Sequence, residues 1–448
     1  MLSRFLLVTL ISLAGPVAAA SDPHDVARLE PVADGFGVLS NATAPTGSRD
    51  RVYLLEQHEG RVLLLEDGVP AAVPVLDLHD RLIEAPWNEE GLVGIALAPE
   101  GEALFVSYID QGDRLVVSRF DLLDDGRRAD PISEIVLLEV PRAARIHHCG
   151  HLEFGPADGL LYVCVGDMQW NTLEIGPIAQ DPDSFRGKIL RLDPQAAAPV
   201  ASHDSHPLLA SARAATRPRA EPEIWLKGLR NPWRFGFDPD AGLIYLPDIG
   251  RSHFEELSVL PLDRVTGNLG WPFAEGGECL VDCTVHEDLI WPVVEYSHLD
   301  DDCAIIGGTT YRGPTSPAWH GVYLFADLCS GRIWALRDAV SEPKVRLVLD
   351  SDLMSTALTR DHQGEILVVD GPGALYRLRL PAGLGAGWRP ADEVNAEMAM
   401  AARQAGFSRT RELLDEARHD QAVMRESTRW RLTEPLVQMY NMLGRPLD

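Results

Sequence analysis

Apolar and polar residues alternate in short runs along most of the chain, and each run ends in a turn built from Gly, Asp or Pro. The unit reads as an apolar strand, a turn, and a second strand rich in Leu, Val and Tyr. A third strand often follows. It recurs in DRVYLLEQHEGRVLLL (50–65), GLVGIALAPEGEALFVSYID (91–110), HLEFGPADGLLYVCVGD (151–167, with RGKILRLDP behind it), FGFDPDAGLIYLPDIG (235–250), GVYLFADLCSGRIWALRD (321–338) and TALTRDHQGEILVVDGPGALYRLRL (356–380). Period-two alternation with short turns predicts antiparallel strands. Six copies at intervals of roughly 40–70 residues predict a six-bladed β-propeller of four-stranded antiparallel blades over residues 21–385. A β-sandwich would not repeat in this way. The Asp-Gly and Gly-Leu pairs within the copies make turns and carry no function of their own.

Two stretches leave the pattern. Residues 195–222 are rich in Ala, Pro and His and read as an exposed loop. Residues 263–300, with GNLGWPFAEGGECLVDCT, read as an irregular insertion between blades. After Pro390 the periodicity becomes helical and strong helix formers dominate, which predicts a C-terminal α-helical extension over 390–448. Its Met and Leu stripe reads as packing surface rather than a cofactor box.

The first twenty residues change the picture of where the protein works. Arg4, the apolar run FLLVTLISLAG and Ala18-Ala19-Ala20 before Ser21 have the layout of a secretory signal cleaved after Ala20. The expected location is therefore periplasmic or secreted. No later stretch approaches 18 apolar residues, so no membrane insertion is expected. Removing Arg4 with the signal takes the formal charge from −27 to −28. A chain this acidic repels phosphate backbones and anionic lipid, so nucleic acid is excluded as a partner and small or neutral substrates fit best. Six cysteines in an exported chain suggest disulfides, with fifteen pairings formally open. Cys149 and Cys164 flank the GPADG turn and can face each other across a hairpin. Cys279 and Cys283 can close a small loop, leaving Cys303 with Cys329.

Candidate chemistry concentrates in RIHHCGH (145–151). Strand alternation would put His147, Cys149 and His151 on one face and His148 on the other. Cys and His donors admit a zinc site, but the paired spacing of structural zinc sites is missing and a disulfide would consume Cys149. The other reading is a histidine base, since imidazole titrates near neutrality, held by a carboxylate such as Asp167. The loop GLRNP (228–232) sets Arg230 beside Asn231 at a strand end, either as a fixed polar arrangement or as a turn capped by its arginine. Glu255 and Glu256 in DIGRSHFEELSVL offer oxygen ligands of the kind calcium takes, or a solvated surface pair.

Taken in order, HxxGHLEFGPADGLLYVCVGD, RGKILRLDP, GLRNPWRFGFDP, IGRSHFEE, NLGWPFAEG and IIGGTTYRG…GVYLFADLCSGRIWAL resemble the soluble glucose/sorbosone dehydrogenase family. That family includes quinoprotein aldose sugar dehydrogenases and the propeller of Hedgehog-interacting protein. The resemblance runs from about residue 30 to 380 and leaves the C-terminal extension outside. It implies an oxidoreductase that uses pyrroloquinoline quinone (PQQ) and calcium, acts on a sugar and hands electrons to an acceptor protein. It further implies His147 as the base that takes the hydroxyl proton while hydride passes to the quinone. Asp167 matches the carboxylate that orients the base, and Arg230 the arginine that stabilises the reduced quinone. Glu89, His147, Arg230 and Asn231 match cofactor contacts, Glu89 standing where the family has a glutamine. Gly250 and Arg251 match carbonyl ligands of the cofactor's calcium, and Glu256 with the Leu269 carbonyl match a second calcium site.

The departures are specific. The family's cofactor-binding lysine position falls on Cys329, and the paired arginines expected before the last blade reduce to Arg360 in DLMSTALTRD. PQQ carries three carboxylates, so lost cations weaken its cradle. Two other functions stay open: a cofactor-free propeller that binds protein or carbohydrate, and a calcium-dependent lactonase or hydrolase.

Overall fold

The computed structural model describes residues 26–45, 50–86, 88–169, 177–195, 200–201, 223–251, 253–264, 267–280, 283, 288–299 and 301–404. The expected leader, residues 1–20, and residues 405–448 of the expected helical extension lie outside them. Six antiparallel sheets form six blades around an axis. Their innermost strands are Leu39–Thr43, Leu92–Leu97, Cys149–Phe154, Gly236–Asp238, Ile305–Thr310 and Ser355–Arg360, one for each copy of the repeat. The chain then runs outward through each blade, so both faces of a sheet pack against neighbouring sheets. That is why the strands carry apolar residues on both sides. Val93, Phe105, Leu152 and Val163 fill the space between blades 2 and 3. Leu54, Leu65, Leu367 and Val369 do the same between blades 1 and 6.

The ring is closed by the N-terminal strand. Arg28–Asp34 pairs with Ala374–Arg379 as the outermost strand of blade 6, with Arg28 opposite Arg379 and Asp34 opposite Ala374. One blade is thereby built from both ends of the propeller sequence, which ties the first strand to the last blade.

Two expectations from the sequence need correction. Residues 263–300 are not all insertion, because Val294–Ser297 is the outermost strand of blade 4 and pairs with Phe254–Pro261. Four residues are too few for alternation to register. Within 195–222, Val200–Ala201 adds a parallel pairing to Leu138 and Glu139 of blade 2, and residues 196–199 and 202–222 lie outside the described residues. The helix Ala391–Gln404 packs on blade 4, where Asn395 accepts from the Glu295 amide at 3.1 Å and donates to the Val293 carbonyl at 3.2 Å. Among the described residues no helix is long and apolar enough to cross a membrane.

All six cysteines are paired: Cys149–Cys164, Cys279–Cys283 and Cys303–Cys329, with Cα separations of 5.8, 5.7 and 5.6 Å. These spacings suit a disulfide without backbone movement.

Innermost strands leave one edge without a strand partner, so their peptide groups face the axis and need other partners. Arg234 supplies three. Its Nη1 donates to the Val93 carbonyl at 2.8 Å, Nη2 to Ser40 at 2.6 Å and Nε to Thr356 at 3.3 Å. One side chain from blade 4 thus ties together blades 1, 2 and 6, and it divides the axial channel into two ends.

Candidate active site

The first end lies where the innermost strands begin. His147 precedes the blade 3 strand, and its Nδ1 lies 2.7 Å from Asp167 Oδ1 at the end of the next strand. Both are buried. Local backbone explains how one short stretch reaches this geometry. His147, Cys149 and Gly150 have φ of 55°, 52° and 77°. Three left-handed residues so close together break the alternation expected of a strand. His147 therefore turns to Asp167, Cys149 crosses to Cys164, and His151 packs edge-on against Phe235. The expectation that His147, Cys149 and His151 share a face is wrong for this reason. Glycine at 166 is required by the close approach, since a Cβ there would meet the His147 carbonyl at 2.0 Å.

Asp167 is held from several sides. Its Oδ2 accepts the Trp271 indole N–H at 2.9 Å, its Oδ1 accepts the Gln169 amide at 3.1 Å, and its own amide donates to the Arg230 carbonyl at 2.7 Å. Burial pushes the carboxyl pKa up, but His147, Arg230 and the indole bond outweigh burial, so it lies below the ordinary value. Asp167 stays ionised and accepts from Nδ1–H, which leaves His147 Nε2 as the free basic nitrogen.

Blade 4 supplies the cation. The Arg230 and Asn231 amides both donate to Asp248, at 2.8 and 2.7 Å. Arg230 Nη1 donates to the carbonyls of Ile249 at 3.1 Å and Gly250 at 2.7 Å, and its guanidinium lies 5.7 Å from the centre of the Trp271 ring. Glu89, just before blade 2, accepts the His148 amide at 3.1 Å and the Asn231 side-chain amide at 3.3 Å. Burial raises its pKa despite the neighbouring His147. The next residue, Glu90, is fully buried and clamps the loop before His147 by binding Arg142 and Arg145. His148 is buried, its Nε2 lies 3.1 Å from the Ala144 carbonyl, and burial with the nearby Arg142 pulls its pKa down to about 3. It is a neutral structural histidine.

His147, Asp167, Glu89, Arg230 and Asn231 thus come together from three blades. A profile of the family described as "Glucose / Sorbosone dehydrogenase" matches residues 43–373. The chain belongs to the glucose/sorbosone dehydrogenase family. Among its relatives, the HIPL2 protein of Arabidopsis thaliana is 31% identical over 48% of this chain and 32% of its own length. The Escherichia coli aldose sugar dehydrogenase YliI is 26% identical over 61% of this chain and 68% of its own. The chain spans about a third of the length of the first curated relatives it matches. A PQQ-bound aldose sugar dehydrogenase from Streptomyces coelicolor shares the fold, with a TM-score of 0.59 at 19% identity over 79% of this chain and 98% of that one.

The remaining site residues predicted for a member of this glucose/sorbosone dehydrogenase family fall on blade 4. Gly250 and Arg251 form the turn after Leu243–Asp248, and Glu256 sits directly across from Asp248 on the next strand. Glu256 accepts the Gly276 amide, and burial followed by Asp248, Glu275 and Glu295 raises its pKa well above normal. Leu269 is buried and its amide donates to the Lys227 carbonyl at 2.9 Å. Among the described residues no group of three or more His, Cys, Asp or Glu side chains is arranged to hold a metal ion. The sequence reading missed Trp271, although it lies within the quoted NLGWPFAEG. It also missed Glu275, which gathers the amides of Arg251, His253 and Phe254 at 2.9, 3.0 and 3.2 Å. Nothing local marks either as a partner of a residue in another blade or turn.

The two departures now have positions. Cys329 follows the Tyr323–Asp327 strand and is bonded to Cys303, so no cation stands there. Arg360 ends an innermost strand and therefore opens onto the other end of the channel from His147.

Proposed function

We propose that this protein is an exported sugar dehydrogenase in which His147 removes a hydroxyl proton from an aldose while hydride leaves for a quinone. The observation that carries this reading is the buried His147–Asp167 contact of 2.7 Å with Arg230 beside it. The quinone end of PQQ suits the residues at this end of the channel. Quinone oxygens accept hydrogen bonds, and Arg230 Nε and Nη2 are not spent on the carbonyls that hold Nη1, which leaves them as donors. Arg230, Asn231 and Glu89 would hold that end, and Gly250 and Arg251 carbonyls are hard oxygen donors of the type calcium accepts. When bound, the quinone supplies the hydride acceptor.

The protein's own part is proton and charge handling. Asp167 fixes the imidazole so that Nε2 faces outward as a base, and it balances the imidazolium once the proton arrives. Trp271 and the Gln169 amide keep Asp167 in place and ionised. Arg230, fixed by two carbonyls and by its backbone bond to Asp248, offers a preorganised positive charge for a developing oxyanion. Glu90 holds the loop before His147 through two arginines, which limits its motion.

A second reading, a cofactor-free propeller that binds a glycan or protein, is favoured by one feature. Cys329 is locked in a disulfide where a carboxylate-binding lysine is expected, and Glu89 stands where the family has a glutamine. Reconstitution of the full chain with PQQ and calcium separates the two. The dehydrogenase reading expects cofactor absorbance at micromolar PQQ and aldose-dependent reduction of an artificial electron acceptor. Absence of cofactor binding at that concentration overturns it and leaves the binding module.

A further inference from the structure

A cavity lies at the end of the channel opposite His147. It measures about 900 Å³ and is lined by the downstream ends of the innermost strands. A pocket of this size takes a small organic molecule. Arg234 forms its inner wall, 3% exposed. Guanidinium carries five N–H donors, and Arg234 uses one on each of three strand carbonyls. Two N–H groups are left without a partner, and among the described residues no carboxylate pairs with this charge. Burial pulls its pKa down to about 9, the direction expected of a cation without a counter-charge.

Two more donors line the same space. Asn41 is 3% exposed, and its side-chain oxygen accepts the Ala42 amide while Nδ2 has no partner. The Arg360 guanidinium forms part of the wall and makes no ion pair or hydrogen bond among the described residues. The carboxylates on the wall are mostly engaged. Asp125 pairs with Arg51, and Asp361 binds Arg377 as well as the amides of Gln363 and Glu365. Glu153 accepts the Phe237 amide at 3.3 Å and lies 3.8 Å from His151.

We propose that this second end of the channel is a binding site for the carboxylate or phosphate group of a small molecule, held by Arg234, Arg360 and the Asn41 side-chain amide. An overall charge of −27 repels anions elsewhere on the surface. Unpaired buried donors around a cation reverse that preference here, because an oxyanion is the partner that satisfies them all. The site is independent of the redox reading, since no residue in it touches His147 or Asp167.

Titration calorimetry on the full chain tests it, with inorganic phosphate and sodium gluconate as probes in a chloride buffer of constant ionic strength. The expected result is saturable binding of at least one probe at a single site, and the preferred probe distinguishes a phosphoryl from a carboxylate ligand. Arg360→Gln and Asn41→Ala should each weaken it roughly tenfold, with circular dichroism confirming that both variants are folded. His147→Ala should leave the affinity unchanged. No saturable heat with either probe, an undiminished affinity in folded Arg360→Gln and Asn41→Ala, or loss of binding in His147→Ala overturns the proposal.

Discussion

The two ends of the axial channel are built from the same six strands, yet they present opposite chemistry. Where the strands begin, carboxylates and acceptor oxygens dominate: Glu89, Asp167, Asp248 and the free Asn231 Oδ1 lie around His147 and Arg230. Where the strands end, unpaired donors of Arg234, Arg360 and Asn41 line the cavity. Arg234 lies between them and belongs to both the architecture and the second site. The difference shows that strand edges around a channel fix only a frame of peptide groups. The chemistry comes from the side chains set at the strand ends and in the turns, two of which, His147 and Arg234, sit on left-handed backbone with φ of 55° and 71°.

The sharpest way to break this contrast is to alter the carboxylate that defines the first end. Asp167→Asn should lower kcat of the reconstituted enzyme by roughly 10³-fold, because the amide can hold the imidazole but cannot balance its charge. Phosphate or gluconate affinity at the other end should not move. A steady-state assay and the calorimetry above read the two effects separately.

Next in size is the covalent tie under the site. Cys149→Ser with Cys164→Ser opens a link that closes 15 residues, and should cost about 3 kcal/mol in urea unfolding. Cys149 lies two residues from His147, so activity should fall with stability. Trp271→Phe removes one hydrogen bond from Asp167 while keeping the ring near Arg230. It should lower kcat about tenfold with little change in KM.

A separate contrast lies in pH dependence. His148 is buried neutral, with its pKa depressed from 6.5 to about 3 by burial and Arg142. The unfolded chain takes up a proton below about pH 6.5 that the folded chain refuses. Its contribution is present above that value and is lost as pH falls from about 6.5 toward 3, at up to about 1.4 kcal/mol per pH unit. His148→Gln should flatten that slope in unfolding midpoints measured at pH 7 and pH 5, and an unchanged slope would argue against it.

Much of this was legible in the sequence because it is periodic or local. Six repeats with turns between them identify the blades, and Cys149 and Cys164 flank one turn and pair across it. His147, Asp167, Arg230 and Asn231 were found through ordered motifs, and the fold brings them together. Contacts between blades were not legible. Trp271 reaches Asp167 across 104 positions, and Glu89 reaches Asn231 across 142. Arg234 read as an ordinary residue of GLRNPWRFGFDP, since only the closed ring shows which carbonyls it meets. In RIHHCGH, alternation failed because the backbone is left-handed there, so histidines four positions apart serve opposite ends of the channel: His147 faces Asp167 and His151 lines the cavity.

The most direct measurement is turnover of His147→Ala with cofactor occupancy read by absorbance in the same sample. The expected result is PQQ bound as in the native protein, with aldose oxidation slowed at least about 10²-fold. Native turnover in the variant with PQQ bound would contradict the assignment of His147 as the base.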